Sequence, residues 1–380
     1  MTMVRGIPTR PVVILGIGMF GLGLVVGGFG AYVSALVDRG VAPATAGLGS
    51  TLYLFGQLSV VLPADVLSRR YSIRSVAAVG FVLGAAGAAL GGYLSLHVHL
   101  GSRFLFGLGN GTAFLLVIKY VGLRVDGETV ARMQGLLGAL FTLGLAIAVA
   151  GTTPAVAAFG PFAPALLAGS LVLCSGLLTM VVEPVAAQQT VALRSYLSPF
   201  RTATGTTLGL ANAASYGFLI VAITWYTDIV AQIPVLPVTF VLTGFAAATF
   251  VGRIGSGWLT VFTTERGVVG WSLAFLTGAL ALVAIALQVG SASLLAASLT
   301  LTGLGFGLPF GPLFGLAFER VDSDAGVLLV GMTALGNAAA LAYPWLVGWL
   351  LAVTDGYVVG FVVMALSVLA VTAIWYRVVG

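Results

Sequence analysis

The chain has 380 residues, of which 59% are hydrophobic and only 7% are charged. A mean hydropathy of +1.13 excludes a water-soluble globule, because so few polar side chains cannot cover a folded surface. The net charge of +5 comes from basic residues scattered singly between apolar segments, so we expect no nucleic-acid partner.

Cysteine usage and motif content exclude several kinds of chemistry. Cys174 is the single cysteine, so neither an intrachain disulfide nor a Cys/His metal cluster can form. The sequence also has no P-loop and no His/carboxylate cluster of the kind that holds a catalytic metal. We therefore expect neither an enzyme nor a bound cofactor or metal.

Apolar segments of about twenty residues, each long enough to cross a bilayer, fill most of the chain. The first follows Arg5 and Arg10 and is too long for the apolar core of a signal peptide, so we expect a retained helix. The predicted spans are 11–36, 45–66, 74–95, 99–122, 131–157, 161–182, 204–230, 238–262, 268–289, 292–317, 326–351 and 356–376. This pattern predicts an all-α integral membrane protein with twelve transmembrane helices in the lipid bilayer.

Basic residues mark one side of the predicted membrane. With the N-terminus inside, the outer loops hold only Arg39. The inner loops and termini hold Arg5, Arg10, Arg69, Arg70, Arg74, Arg124, Arg132, Arg194, Arg201, Arg266, Arg320 and Arg377. The positive-inside rule then predicts that both termini are cytoplasmic, and the short loops are typical of a prokaryotic inner or archaeal cell membrane.

A polar interval divides the spans into two sets of six. It predicts an N-terminal bundle at 1–183, a cytoplasmic linker at 184–200 and a C-terminal bundle at 201–380. Internal similarity supports a duplication, since Gly107–Gly111 recurs as Gly303–Gly307 at an offset of 196. Parallel repeats of six helices make two pseudo-symmetric bundles and place a shared cavity between them.

The loop between the second and third spans contains a recognisable motif. Asp65 is followed four and five residues later by Arg69 and Arg70, which resembles the loop motif of the major facilitator superfamily, although Val61 and Ser68 replace two of its glycines. Residues 103–111 are similar to the fourth-helix motif of that family, and residues 336–361 to its passage from eleventh to twelfth helix. The resemblance covers the whole chain and implies a twelve-helix secondary transporter.

The resemblance also implies a gating role for Asp65, Arg69 and Arg70 on the cytoplasmic side. An Asp and an Arg four residues apart on a helix can pair, and the carboxylate can also cap a helix of the other half. Such contacts would exist only when the halves meet at that side. The alternative is that these arginines only set the topology.

Three basic residues fall inside spans, where a charge costs several kcal/mol unless it is paired or wetted. For Arg253 we predict contact with an anionic substrate, because its planar guanidinium suits a carboxylate; an interhelical contact near the cytoplasmic end is the alternative. Arg103 shares a helical face with Asn110 and points to water or to tight packing, with bonds to carbonyls of its own half as the alternative. We expect Lys119 to snorkel to the inner surface.

Other polar residues fall on consistent helical faces at the depth of the predicted cavity. Tyr32 belongs to the first span, Gln57 to the second, Asn212 and Tyr216 to the seventh and Asn337 to the eleventh. In the resembled family the first and seventh helices line the cavity. Each of these side chains is either a substrate contact or a helix–helix hydrogen bond.

All eleven acidic residues lie in loops or at helix ends, and His97 and His99 lie near the outer surface. This distribution favours uniport, exchange or anion symport over a proton carrier with a titratable core. We predict a monomeric secondary active or facilitative transporter that moves a small solute, a small organic anion or related metabolite, by alternating access. The alternative is an efflux transporter for amphipathic or drug-like compounds.

Overall fold

The computed structural model describes residues 9–125, 128–185, 188–231, 237–319 and 324–379. Within these ranges the secondary structure is helical and contains no strand. Arg5 and Arg320, counted above among the inner basic residues, lie outside them. The described part of the chain contains twelve helical spans that are long and apolar enough to cross a membrane, which confirms the predicted number.

Nine spans are single helices and three are interrupted. The helices are Thr9–Gly27, Phe29–Val37, Pro43–Arg70, Ile73–Leu90, Leu96–Arg124, Glu128–Phe159, Phe162–Thr179, Ala203–Asn212, Phe218–Ala231, Val238–Leu259, Glu265–Val289, Ala292–Gly307, Phe310–Glu319, Ala325–Thr354 and Val358–Val378. A π-helical turn, Ala213–Gly217, joins two helices into the seventh span, and a 3-10 helix, Leu193–Arg201, begins in the predicted linker and ends one residue beyond it.

The interruptions have local causes. The first span breaks at Gly28, between Thr9–Gly27 and Phe29–Val37, because glycine weakens a helix interior. The tenth breaks at Leu308 and Pro309, as proline lacks the N–H that would continue the helical ladder. Pro312 lies in the first turn of the following helix, where a missing N–H costs no helical hydrogen bond.

Charged side chains define the two ends of the helical bundle. We call the end that carries Arg69, Arg124 and Arg132 the inner end, which the positive-inside rule assigns to the cytoplasm, and the opposite end the outer end. Side-chain caps start several helices at their loops, and they come from Ser72, Thr202, Thr264, Ser291 and Asp324. Each accepts a hydrogen bond from a backbone N–H that the helix itself leaves unsatisfied.

The sequence repeat corresponds to repeated helix packing. A Cβ atom placed on Gly56 of the second span would lie 2.6 Å from the carbonyl oxygen of Phe104 in the fourth. One placed on Gly252, its counterpart in the eighth span, would lie 2.6 Å from the carbonyl oxygen of Leu304 in the tenth. The same pair of helices therefore approaches backbone to backbone in each half, which only glycine allows.

The two halves meet closely at the inner end. A Cβ atom on Gly135 of the fifth span would lie 2.6 Å from the carbonyl oxygen of Arg253 in the eighth. One on Gly257 would lie 2.6 Å from the Cα atom of Arg132. Backbones from opposite halves are thus in contact, so the inner end is closed in this structure.

Candidate substrate site and inner gate

Asp65 is the centre of a charge network at the inner end. Its side chain is fully buried, and one of its oxygens accepts hydrogen bonds from Arg69 Nε at 2.7 Å and from the Tyr196 hydroxyl at 2.6 Å. The other oxygen pairs with Lys119 Nζ, which also donates to Ser68 Oγ at 3.0 Å. A carboxylate with these partners is compensated although it lies in the protein interior.

Arg69 carries the network across to the other half. Its Nη1 donates to Asp324 Oδ2 at 2.7 Å, and its Nη2 pairs with the second oxygen of that carboxylate. Asp324 also accepts a hydrogen bond from Val327 N–H and so caps the eleventh span. The bidentate pair holds the inner ends of the second and eleventh spans together.

The linker segment adds to this closure. Arg69 Nη1 donates to the backbone oxygen of Gln189 at 3.0 Å, and Tyr196 of the 3-10 helix reaches Asp65. Burial, followed by the hydrogen bond to Asp65, raises the pKa of Tyr196, so its hydroxyl remains a donor. Burial alone would raise the pKa of Asp324, but hydrogen bonds and charge from Arg69 outweigh it and lower that pKa.

One expectation for the inner end differs from the structure. Lys119 does not snorkel: its side chain is 1% exposed, because packing of the second span on the fourth places it against Asp65. The eleventh span begins with a cap from its own Asp324, while Arg69 makes the ion pair between the halves and the Asp65 carboxylate lies beside Gly326 in the first turn of that span. Arg70 is exposed and lies over the ring of Tyr71.

A row of polar side chains crosses the interface between the halves at mid-depth. Tyr216, on the π-helical turn of the seventh span, donates to Gln57 Oε1 of the second span at 2.8 Å. Asn110 of the fourth span donates to the Tyr53 hydroxyl at 2.8 Å, and Tyr53 lies next to Tyr216. The structure thus brings together three of the predicted site residues through Tyr53.

Arg103 is a buried cation without an acidic partner. Its side chain is 5% exposed, and it makes no hydrogen bond to any described residue. The guanidinium lies 4.4 Å from the ring centre of Phe29 and 5.9 Å from that of Tyr32, so aromatic faces provide its stabilisation. The expected alternative, bonds to carbonyl groups of its own half, is not found among the described residues.

Two cavities adjoin Arg103. The interface cavity, of about 50 Å³, lies between the halves and is lined by Ser50, Tyr53 and Arg103 from one half and by Ile220 and Thr224 from the other. A cavity needs about 10–15 Å³ to hold one water molecule, so in this state the space holds a few waters or a small ion. Arg103 is the one charged residue among the described residues that line it.

The second cavity, which we call the N-half cavity, lies within the first six spans. It has a volume of about 190 Å³ and is lined by parts of the first, third, fourth, fifth and sixth spans. Tyr32, Arg103 and Thr152 supply its polar atoms, and the remaining wall is aliphatic, glycine or proline. Both cavities therefore share a single guanidinium group.

Arg253 occupies a different place from Arg103. It is buried near the inner end, where its Nη1 donates to the backbone oxygen of Gly138 in the other half at 3.0 Å and its guanidinium lies 4.2 Å from the ring centre of Phe310. Arg253 lines neither of the two cavities. In this state it makes the interhelical contact that was the alternative to substrate binding.

The other predicted site residues are dispersed. Asn212 donates to the backbone oxygen of Met332 at 2.9 Å and so joins the seventh span to the eleventh. Asn337 is buried and makes no side-chain hydrogen bond to the described residues. Tyr32 lines the N-half cavity and donates to the backbone oxygen of Pro161 at 3.3 Å.

Sequence reasoning missed some residues that the structure places at these sites. His99, expected near the outer surface, is fully buried one helical turn from Arg103; it stacks on Phe29 and neither ring nitrogen has a partner among the described residues. Tyr196 was not assigned to a site.

Two six-span halves that meet at a closed inner end, with a small cavity between them, are typical of helical membrane transporters. The chain belongs to the Major Facilitator Superfamily, whose family model matches residues 14–336. No curated protein matches the chain at the level of sequence. Proteins of this superfamily are in general transporters and not enzymes.

Solved structures share the fold over nearly the whole chain. The E. coli fucose:proton symporter aligns with a TM-score of 0.79 at 16% identity, covering 97% of this chain and 98% of that one. The human organic anion transporter MFSD10 aligns with a TM-score of 0.79 at 14% identity, covering 97% and 99%. The proton:xylose symporter XylE gives 0.80 at 13%, covering 98% and 96%.

Proposed function

We propose that the protein is a secondary active or facilitative transporter that moves a small organic anion by alternating access across a prokaryotic inner or archaeal cell membrane, acting as a monomer. The observation that carries the proposal is Arg103, a buried guanidinium next to the interface cavity with no carboxylate to neutralise it. A planar fork of N–H donors binds carboxylates well. An anion is the ligand that would satisfy these donors.

The closed inner end supports the alternating-access part of the proposal. Hydrogen bonds and ion pairs between described residues of the two halves lie from mid-depth inwards, from Tyr216–Gln57 to Arg69–Asp324. On the outer side of Tyr216, the interface holds the small cavity next to Arg103 instead. Separation of the outer segments would admit the anion from outside, and separation at Arg69 and Asp324 would release it inside.

Asp65, Arg69 and Arg70 are the gating residues of this proposal. Asp65 and Arg69 make the contacts of the closed state, and Arg70 contributes surface charge at the inner end. Tyr32 is a substrate contact at the N-half cavity. The other candidate contacts line neither cavity and would reach the substrate only after the halves rearrange; they are Gln57, Asn110, Asn212, Tyr216, Arg253 and Asn337.

Replacement of Arg103 tests the anion assignment. The Arg103→Gln variant keeps a polar side chain but loses the positive charge, so stabilisation by carboxylates should disappear. Uptake of the carboxylate into proteoliposomes should fall by a factor of about 10 to 10², since a charged hydrogen bond contributes roughly 1.5–3 kcal/mol. Thermal shift with carboxylates, sugars, inorganic oxyanions and cationic drugs gives the ligand class.

Arg39→Gln is the matched control for this experiment. Arg39 lies exposed at the outer end and donates to the Leu94 backbone oxygen at 3.4 Å, so the same change there removes a charge without touching either cavity. An equal loss of carboxylate uptake in Arg103→Gln and Arg39→Gln would contradict the proposal. Selective stabilisation of the wild-type protein by cationic drugs would contradict it as well.

The second candidate, efflux of amphipathic or drug-like compounds, is favoured by one observation. The wall of the N-half cavity is almost entirely apolar, as binding sites for such compounds are. The drug arm of the thermal-shift screen distinguishes the two candidates, because an efflux site would respond to apolar cations and neutral compounds in the Arg103→Gln variant as well.

A further inference from the structure

The N-half cavity extends from Arg103 towards the outer ends of the fifth and sixth spans. Gly28 of the first span and Gly151 of the fifth face it without side chains, which makes room between the helices. Its volume of about 190 Å³ is below the roughly 300–1,000 Å³ of pockets that enclose a whole drug-sized ligand. The space therefore fits part of a ligand.

Two wall residues show where this cavity opens. Ile147 is 50% exposed and Leu167 is 64% exposed, although both also line the cavity. Side chains that do both lie at a rim. They belong to the fifth and sixth spans, so the rim faces the apolar surroundings of the bundle near its outer end.

We propose that the N-half cavity is a subsite for an apolar chain attached to the anionic group bound at Arg103. The substrate would then be an amphiphilic carboxylate with a short aliphatic chain. This inference rests on the proposed function, because the anionic group takes the place that Arg103 defines. The inference adds a second requirement on the substrate, an apolar chain, which binding of the anionic group at Arg103 does not impose.

Charge and polarity are separated along the cavity as such a molecule requires. At one end lie the Arg103 guanidinium and the Tyr32 ring, and Tyr32 directs its hydroxyl to Pro161. Beyond them the wall consists of residues such as Leu24, Ala148 and Ala168. A carboxylate at the guanidinium would place its chain among these side chains, where each buried methylene contributes about 0.8 kcal/mol.

Gly151 offers a way to fill the cavity without disturbing the fold. A Cβ atom added to Gly151 meets no atom within 4 Å, so Gly151→Leu places its side chain into the open space. Ala155→Leu, one turn along the same wall, is a second variant in case the first does not fold. Gly278→Leu is the matched control, because Gly278 also has open space around it but lies on an exposed face of the ninth span.

The experiment measures binding of straight-chain carboxylates from acetate to decanoate to the purified protein in lipid nanodiscs. For the wild-type protein and for Gly278→Leu, affinity should rise by about fourfold per methylene until the cavity is full. Gly151→Leu should bind acetate as the wild type does, with no further gain along the series. Arg103→Gln should bind none of them.

The outcomes separate this inference from the proposed function. Carboxylate binding that depends on Arg103 but is independent of chain length would leave the anion transporter standing and overturn the subsite. A gain with chain length that Gly151→Leu and Ala155→Leu both retain would also overturn it. If no carboxylate binds the wild-type protein, the proposed function fails first and the subsite with it.

Discussion

Charge is balanced within the network around Asp65 and Asp324 and unbalanced at Arg103. Asp65 and Asp324 lie against Arg69 and Lys119, so the four charges of the gate sum to zero and each has an opposite partner. A satisfied network of this kind tolerates burial, whereas an unpaired buried charge is costly. Arg103 has no such partner, and that difference favours a substrate role for it over a structural one.

The pairing of Arg69 with Asp324 predicts how the gate responds to pH. Contacts with Arg69 hold the pKa of Asp324 below its ordinary value of roughly 3.9 when the inner end is closed. Its contribution to closure is therefore complete at neutral pH and is lost as the pH falls through that lowered pKa. The population of the closed state should be constant between about pH 5 and 8 and should decrease below about pH 4.

Asp324→Asn should reproduce the acidic state at neutral pH. It removes the charge but keeps the size of the side chain, and we expect a decrease of about tenfold in the ratio of closed to open inner ends. Pulsed EPR distances between spin labels at Tyr71 and Phe262, both exposed at the inner end on opposite halves, report that ratio in a Cys174→Ser background. An unchanged distance distribution would remove Asp324 from the gate.

The residues of the gate differ in how far the sequence could predict them. The spacing of Asp65 and Arg69 on one helix is a local property, and the pairing follows from it. Lys119 and Tyr196 reach the same carboxylate from 54 and 131 positions away, so their roles depend on how helices pack. Hydropathy places Lys119 near a membrane surface but does not show that a carboxylate lies beside it.

Glycine contacts close the inner end at the level of helices. The fifth span meets the eighth at Gly135 and Gly257, where a Cβ atom would come within 2.6 Å of the neighbouring backbone. Close backbone approach is what holds helices together where no hydrophobic driving force acts between them. The closed state thus requires glycine at these two positions, because a side chain there would collide with the backbone of the facing helix.

Gly135→Val should therefore open the inner end or destabilise the closed state. The added atoms cannot be accommodated against the carbonyl oxygen of Arg253, and overpacking of this kind costs roughly 1–3 kcal/mol. Gly255→Val, at a glycine with open space around it on the eighth span, is the control. Labels at Tyr71 and Phe262 should move apart in Gly135→Val but not in Gly255→Val. Equal label distances in the two variants would show that glycine at position 135 is not needed to close the inner end.

The spans themselves were predictable, but their irregularities only in part. Length and apolar composition fix the number of helices, since a bilayer leaves few alternatives. The break in the tenth span at Pro309 has a sequence cause, because proline cannot continue the helical hydrogen bonds. The π-helical turn Ala213–Gly217, which carries Tyr216 to Gln57, has no comparable signature, because its extra residue is accommodated by contacts with neighbouring helices.

At the scale of the whole molecule, the repeat explains the shape of the interface but not its chemistry. Gly56 and Gly252 occupy equivalent positions and make equivalent contacts. Arg103 has no basic counterpart, since the residue 196 positions later is Leu299. Symmetric helices therefore provide two halves that can rock, and asymmetric side chains place the charged site in the N-terminal half.

While the inner end is closed, separation of the outer segments should expose the interface cavity to the outside. In a Cys174→Ser background, Ser50→Cys places a thiol at this cavity, and a membrane-impermeant thiol reagent added outside should label it. Asp324→Asn should lower that labelling rate by several-fold, because molecules that open inwards close at the outer end. If the reagent added inside labels Ser50→Cys equally fast with and without Asp324→Asn, the halves do not alternate. A site that is open to one side at a time cannot be reached from inside while Arg69 is paired with Asp324.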